Sequence, residues 1–303
     1  MSYLYVFIGI FFFSTLEFLG KLFKANIPPN TMTAVRFFIG SLVIFPLAIY
    51  QYRLLKKKIN LKDIVKIGFP GFLNVCISMM SLHLAVYFGK ASLSAILISV
   101  NPIFAALFGK IILKEPLTKW KILGIILGIF GISFIIGGET SILEGSRNAL
   151  LGFVFGMVAS VSFGLYTVIS KRYVKQYGNF VFNSISFLIG SICLTIISFI
   201  LGAEMDFELN TGNILVLLYM GIFVSGLAYF FFFEGLRRMP VVNGSMMFFL
   251  KPVIATILAV IFLNEVINLF QIIGVLIVLI GINIERVILL LSHRKEKTAS
   301  EVI

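Results

Sequence analysis

Displaced by 150 residues, the chain lies over itself without a gap. Lys21 falls on Lys171, Gly40-Ser41 on Gly190-Ser191, Pro102 on Pro252, Glu115 on Glu265, Gly124 on Gly274 and Gly131 on Gly281. The matched residues are mainly the glycines, prolines and charges that interrupt apolar segments, where coincidence is least expected. Two halves of one chain should therefore carry the same helices in the same order. If that number is odd and the helices cross a membrane, the second half begins on the opposite side and the repeats are inverted.

The apolar segments satisfy the membrane condition. Of 303 residues, 59% are hydrophobic and 13% charged, against about 45–50% and about 25% in an ordinary soluble domain. The first apolar run begins almost at Met1 with neither a basic leader nor a small-residue cleavage site, so it reads as a retained helix. Spanning helices need about 20 mostly apolar residues. Polar and turn-rich breaks divide the chain into spans near 3–23, 31–50, 67–87, 91–113, 118–137, 149–170, 181–202, 212–234, 241–263 and 268–290. The expectation is an all-α integral membrane protein of ten transmembrane helices in two inverted five-helix repeats, 1–138 and 149–290, followed by a cytoplasmic basic tail, 291–303.

A net charge of +12 could point to nucleic acid, but placement decides otherwise. With the N-terminus inside, the inner loops and tail hold the stretch from Arg53 to Lys66, Lys114, Lys119, Lys121, Lys171, Arg172, Lys175, Arg237, Arg238 and the basic residues from Arg286 onward. The outer loops hold only Lys21, Lys24, Lys90 and Arg147 of the basic residues, together with Glu139, Glu144, Glu204, Asp206, Glu208 and Glu265. This is the positive-inside pattern of a plasma-membrane or bacterial inner-membrane protein with both termini cytoplasmic. It puts Glu115 on the inner side and Glu265 on the outer side, as antiparallel halves of five helices require. Nucleic acid is not an expected partner; lipid is.

Further motifs carry a resemblance. Phe13-Ser14-Thr15 precedes Lys21, Ala34-Val35-Arg36-Phe37 opens the second helix, and Asn101-Pro102-Ile103-Phe104-Ala105 lies in the fourth. Lys114-Glu115-Pro116-Leu117-Thr118 and Gly124 to Gly131 follow, and the second half repeats the set as Lys251-Pro252-Val253-Ile254-Ala255, Leu263-Asn264-Glu265 and Gly274 to Gly281. The chain resembles the ten-helix EamA-type branch of the drug/metabolite transporter superfamily over nearly its whole length. The resemblance implies a permease, often an exporter of metabolites, that works by alternating access. Arg36 has Ser186 at its repeat position and Glu17 has Thr167, so the halves are not equivalent.

Ionisable side chains held inside hydrocarbon cost about 2.5–3.5 kcal/mol each on insertion scales and usually face a partner or a water-filled cavity. At a rise of about 1.5 Å per residue, Glu17 lies roughly 21 Å from the inner end of helix 1 and Arg36 roughly 8 Å from the outer end of helix 2, nearly the same depth. His83 falls in that layer. Glu17 reads either as a proton acceptor coupled to transport or as the structural ion-pair partner of Arg36; small four-helix relatives in the superfamily carry an essential carboxylate in their first helix. Lys251 lies about ten residues into helix 9, near the midplane. It directly precedes Pro252, as Asn101 precedes Pro102. Each proline removes a backbone donor and disturbs the carbonyl four residues earlier, so a central site is expected there. The Lys251 ammonium suits a substrate carboxylate or phosphate, or is neutralised within the protein.

The substrate-binding or coupling candidates are thus Glu17, Arg36, His83, Asn101 and Lys251. Pro102, Pro252, Glu115 and Glu265 are candidates for helix breaks or gating. Asn74, Asn183, Tyr87, Tyr166 and Tyr229 are secondary candidates for the path. There is no HExxH, GxSxG or Walker A motif and no cysteine or histidine spacing for a metal, so no catalytic centre, cofactor or direct ATP use is expected. Cys76 and Cys193 read as small buried residues. The leading expectation is secondary-active or facilitated transport of a small polar metabolite, an amino acid or related compound by resemblance, with a proton or other ion as a possible coupling partner. A monomer is the default, or a weak dimer. The alternatives are a multidrug or organic-cation transporter, a lipid-linked flippase and a non-transporting membrane sensor.

Overall fold

The computed structural model describes residues 1–23, 27–55, 58–88, 94, 97–137, 148–263 and 269–300, the side chains of 16–23, 136–137, 149, 255–256, 259–260, 263, 286 and 289–300 excepted. Every element among them is helical. In chain order these are α1 (Ser2–Phe23), α2 (Pro29–Leu54), α3 (Leu61–Phe88), α4 (Asn101–Ile112), α5 (Lys119–Gly137), α6 (Ala149–Tyr177), α7 (Asn179–Ile200) and α8 (Thr211–Leu236). Then follow α9, in consecutive runs Val241–Met246, Met247–Phe249 and Leu250–Leu263, and α10 (Leu269–Ser300). Five of them, α2, α3, α6, α7 and α8, are long and apolar enough to cross a bilayer, and shorter apolar runs occupy Ser2–Thr15, Leu97–Ile112, Val241–Ile254 and Leu269–Glu285.

Local chemistry sets the helix ends. Pro29 sits in the first turn of α2, where its missing N–H costs nothing. Asn60 opens α3 with a capping box: its side chain accepts from Asp63 N at 3.0 Å while Asp63 Oδ2 accepts from Asn60 N at 3.2 Å. Asn148 and Asn210 cap α6 and α8 through Leu151 N and Asn213 N. The helix α6 runs to Tyr177, past the expected end near 170, because the first residue unfit to continue is Gly178 at φ +86°. Gln51 fills the space beside that glycine, and its Oε1 accepts from Phe180 N and Val181 N at the start of α7. The segment expected as a tail continues α10 as far as Ser300: Lys, Arg, Glu and Ala are good helix formers, so a loss of hydropathy there is no helix stop.

Two features have no sequence signal of their own. Residues Leu73–Met79 in α3 and Met220–Leu227 in α8 are π-helical, a form found mostly as short insertions in α-helices and often near functional sites. In α9 the run Met247–Phe249 tightens to a 3-10 turn one turn before Pro252, where the proline deprives a carbonyl of its donor.

Close backbone contact holds the helices together. A Cβ on Gly124 would lie 2.5 Å from Gly281 O and one on Gly281 2.8 Å from Gly124 O; Gly131 and Gly274 stand in the same reciprocal relation at 2.8 and 2.6 Å. No residue but glycine fits between α5 and α10 at these points. Likewise Gly190 of α7 abuts Gly71 of α3, and Gly40 of α2 abuts Gly221 of α8. Large apolar side chains such as Leu42, Phe45, Ile126, Phe130 and Leu276 point outward and are exposed, as suits a surface covered by lipid rather than water. Cys76 and Cys193 carry free thiols and are half-buried.

Gly131→Ala should lower the melting temperature of detergent-purified protein despite the better helix propensity of alanine, because overpacking costs about 1–3 kcal/mol. Gly212→Ala, where the added carbon meets only Asn210 Oδ1 at 3.3 Å, should leave it unchanged or raise it.

Candidate functional site

Where α1, α2, α3, α4, α6, α8 and α9 converge they enclose a cavity of about 90 Å³. It is lined by Phe13, Met32, Arg36, Met79, Leu82, His83, Ile98, Ser99, Asn101, Phe163, Tyr229, Phe248 and Lys251. Four of the five binding or coupling candidates, Arg36, His83, Asn101 and Lys251, thus share one space although they are spread over 215 positions of sequence. The side chain of the fifth, Glu17, lies outside the described residues, as does Glu265.

Several of these polar groups are fixed by a contact to their own segment or to a neighbouring helix. Arg36, 4% exposed, has its guanidinium carbon 4.6 Å from the centre of the Phe37 ring. His83 Nδ1 and Thr33 Oγ1 are 3.2 Å apart, which ties α3 to α2. Tyr229 accepts at its hydroxyl from Asn74 Nδ2 at 3.2 Å. Asn101, 1% exposed, begins α4 just after a turn at Val100. Pro102 has no N–H to give to Ile98 O, the carbonyl four residues back. Asn101 Nδ2 donates to that carbonyl instead, at 2.8 Å. Lys251 holds the same position relative to Pro252.

Below the cavity the interior closes in layers that can be followed along α6. Phe163 belongs to the cavity wall. Its ring lies 5.3 Å from that of Phe248, which in turn packs on Phe13 at 5.7 Å and Phe232 at 5.1 Å. One turn on, Tyr166 meets Phe233 at 5.6 Å and Tyr229 at 6.2 Å. Lys171 follows eight residues after Phe163, roughly 12 Å along the helix. Its Nζ donates to Glu115 Oε1 and to Met239 O, each at 2.5 Å, and Glu115 Oε2 accepts from Val241 N at 2.6 Å. Glu115 therefore joins the α4–α5 connection, α6 and the start of α9. The same basic end carries Lys121 near Glu285, whose Oε1 also accepts from Thr118 Oγ1, and Arg237 and Arg238 on Glu234.

The secondary candidates separate. Tyr229 lines the cavity, Asn74 and Tyr166 stand behind it, Asn183 bonds to Asn179 lower in α7, and Tyr87 is exposed on the outside of the bundle. The aromatic wall of Phe13, Phe163 and Phe248 was not legible in a sequence with 33 phenylalanines. Lys171 as partner of Glu115 had a signal in retrospect: the 150-residue offset that matches Glu115 to Glu265 also matches Lys171 to Lys21.

The EamA-like transporter family model matches residues 1–137 and 150–284. The chain belongs to that family. An uncharacterized transporter of Clostridium kluyveri is 36% identical over 285 residues, 92% of this chain and 91% of the relative. The Bacillus subtilis transporter YoaV is 27% identical over 264 residues, 85% and 87% of the two chains. An uncharacterized transporter of Archaeoglobus fulgidus is 26% identical over 276 residues, 89% and 95%. A protein of known crystal structure, 19% identical, superposes with a TM-score of 0.81 over 97% of this chain and 98% of its own, a likeness of fold alone. This EamA-type chain is accordingly a multi-pass membrane transporter.

Breaking a buried ion pair by removing one partner costs about 3–5 kcal/mol, because the other charge stays behind. Lys171→Met and Glu115→Gln should each destabilise the EamA-type chain strongly, and the double variant by less than the sum, in thermal unfolding. Arg238→Ala, whose partner pair is far more exposed, should cost under about 1 kcal/mol.

Proposed function

We propose that the protein is a secondary transporter that moves a small polar solute through the central cavity by alternating access between inverted five-helix halves, 1–138 and 149–290, with ten spans and both termini in the cytoplasm. The observation that carries this reading is the cavity itself: it gathers Arg36, His83, Asn101 and Lys251 at the two proline-broken helices and lies above a basic end closed by aromatic rings and by Glu115 with Lys171. A binding space shut off from one side is what one end state of such a cycle requires.

Contacts that the 150-residue offset carries onto one another support the inverted repeat. Gly124 with Gly281 and Gly131 with Gly274 are one pair and its symmetry image. Gly40 against Gly221 corresponds to Gly190 against Gly71. The contact of Gly9 with Ala228 corresponds to the bond from Ser78 Oγ to Ala159 O, 3.0 Å long. The asymmetric placement of Lys and Arg favours a cytoplasmic basic end in a plasma membrane.

Among the described lining residues two are cationic and none acidic. Glu17, four residues after Phe13 in α1, is the proton acceptor in this reading and couples solute to a gradient. Glu115 acts as a gate whose bonds to Lys171 and Val241 break when the basic end opens, and Glu265 is its counterpart at the other end.

The test is uptake of a labelled metabolite panel by proteoliposomes with and without an imposed pH gradient. Wild type should accumulate at least one solute only when the gradient is present. Glu17→Gln should abolish accumulation while leaving solute exchange and the elution profile intact. Accumulation by Glu17→Gln with unaltered pH dependence would remove the coupling role, and the absence of carrier-mediated movement of every solute would remove the transport reading.

A further inference from the structure

At the basic end a second, more open space of about 390 Å³ lies between the α4–α5 connection and the last turns of α6, lined by Leu113, Glu115, Lys171, Arg172, Lys175 and Gln176. At about 30 Å³ for each water of the liquid, it has room for roughly a dozen. Its charges do not cancel. Glu115 is matched by Lys171 and takes a second bond from Val241 N, whereas Arg172 and Lys175 are exposed and make no ion pair among the described residues. Lys171 and Lys175 stand four residues apart and Arg172 and Lys175 three, spacings at which side chains on a helix are neighbours and like charges repel. The 150-residue offset pairs Glu115 with Glu265 and Lys171 with Lys21, but sets Leu22 against Arg172 and Ala25 against Lys175. The repeated pair therefore does without these two cations. Membrane orientation asks for positive charge at this end; it does not ask that the charge line a hollow.

We propose that this hollow holds the phosphate of an anionic phospholipid between Arg172 and Lys175, with an acyl chain lying along α4. The apolar helix Leu150–Tyr177 has 28 residues and at about 1.5 Å each is roughly 42 Å long, against about 30 Å of hydrocarbon and about 40–45 Å with the headgroup layers. Its last turns, which carry the three cations, fall among headgroups. On α4, which packs against α6, Ile103, Leu107 and Ile111 are exposed at intervals of four residues, an apolar stripe that ends two residues before Leu113 in the wall of the hollow. A chain laid on that stripe brings its phosphate to the cations. Arg172 offers a planar fork of donors and Lys175 a compact charge. Lys171 gives two of its ammonium protons to Glu115 and Met239 O and keeps a third. A zwitterionic headgroup gains less, because both oxygens of Glu115, the one carboxylate among the described lining residues, already accept bonds. This site is separate from the central cavity and stands whatever solute that cavity carries.

Native mass spectrometry of the full-length protein in detergent, titrated with phosphatidylglycerol or with phosphatidylcholine of the same chains, counts bound lipid directly. Wild type should hold one phosphatidylglycerol with a Kd at least about tenfold below that for phosphatidylcholine. Arg172→Gln combined with Lys175→Gln should weaken phosphatidylglycerol by about 25-fold, from about fivefold for each cation at an anionic headgroup, and leave phosphatidylcholine unchanged. Lys62→Gln combined with Lys66→Gln, which removes two exposed lysines of the basic loop and α3 outside the hollow, should alter neither. Glycerol 3-phosphate, which has the phosphate without the chains, should bind far more weakly than phosphatidylglycerol in titration calorimetry. If the variant at 172 and 175 does not fold, the wild-type ranking of the two lipids and glycerol 3-phosphate decides alone. No retained phosphatidylglycerol, equal affinity for the two lipids, an equal loss in both double variants, or glycerol 3-phosphate binding as tightly as the lipid overturns the inference; the last would make the hollow a site for soluble phosphate.

Discussion

A bilayer offers backbone groups no hydrogen bonds, so every carbonyl in its interior must find a donor within the protein. The organisation of this molecule follows from where that rule is strained. Pro102 removes a donor in the first turn of α4, and Pro252 removes one in the interior of α9. The chain answers with a turn at Val100 and the Asn101 side chain in α4, and with a 3-10 turn at Met247–Phe249 in α9. Both repairs sit on the wall of the one space shared by seven helices. Polar backbone and polar side chains are tolerated in a membrane where they border a cavity, and here the cavity exists where the two repairs meet.

Electrostatics divides the molecule along the same axis. The charges at the basic end are paired tightly: Glu115 takes bonds from Lys171 and Val241, and Glu234 from Arg237, Arg238 and Asn179. The Glu115 cluster draws together the α4–α5 connection, α6 and the start of α9, which would otherwise be free to part. Between it and the cavity lie aromatic rings packed edge to face, which seal by dispersion and shape without directional bonds. A seal of rings can slide and a cluster of a few strong bonds can break as a unit. The alternating access proposed above would use that combination to give the bundle two discrete arrangements rather than a continuum.

Much of this was legible in the residues. Hydropathy placed the apolar helical runs, and the cost of charge in hydrocarbon singled out Arg36, His83 and Lys251, which the structure brings to one cavity. Asn101 was found by its place before Pro102. What was hidden depends on packing. Phenylalanines that line the cavity look the same in sequence as those that face lipid, and the π-helical turns of α3 and α8 lie where those helices pass Gly190 and Gly40. Lys171 read as one more basic residue at an inner helix end, because its partner is 56 positions away and its burial comes from the α8–α9 connection folding over it. The helix α6 outruns its apolar span 149–170 for a related reason: helix continues for as long as its backbone is supported, not for as long as its side chains are apolar.

The central claim is that one cavity is exposed in turn to the two sides of a membrane. It is tested most directly by a single cysteine at Ser99, on the cavity wall, in a chain where Cys76 and Cys193 have been replaced by serine. A membrane-impermeant thiol reagent is then applied to right-side-out and to inverted vesicles. The account predicts that Ser99→Cys is modified from both sides, at rates that shift in opposite directions when Lys171→Met frees the basic end. Modification from one side only, unchanged by that substitution, would contradict it.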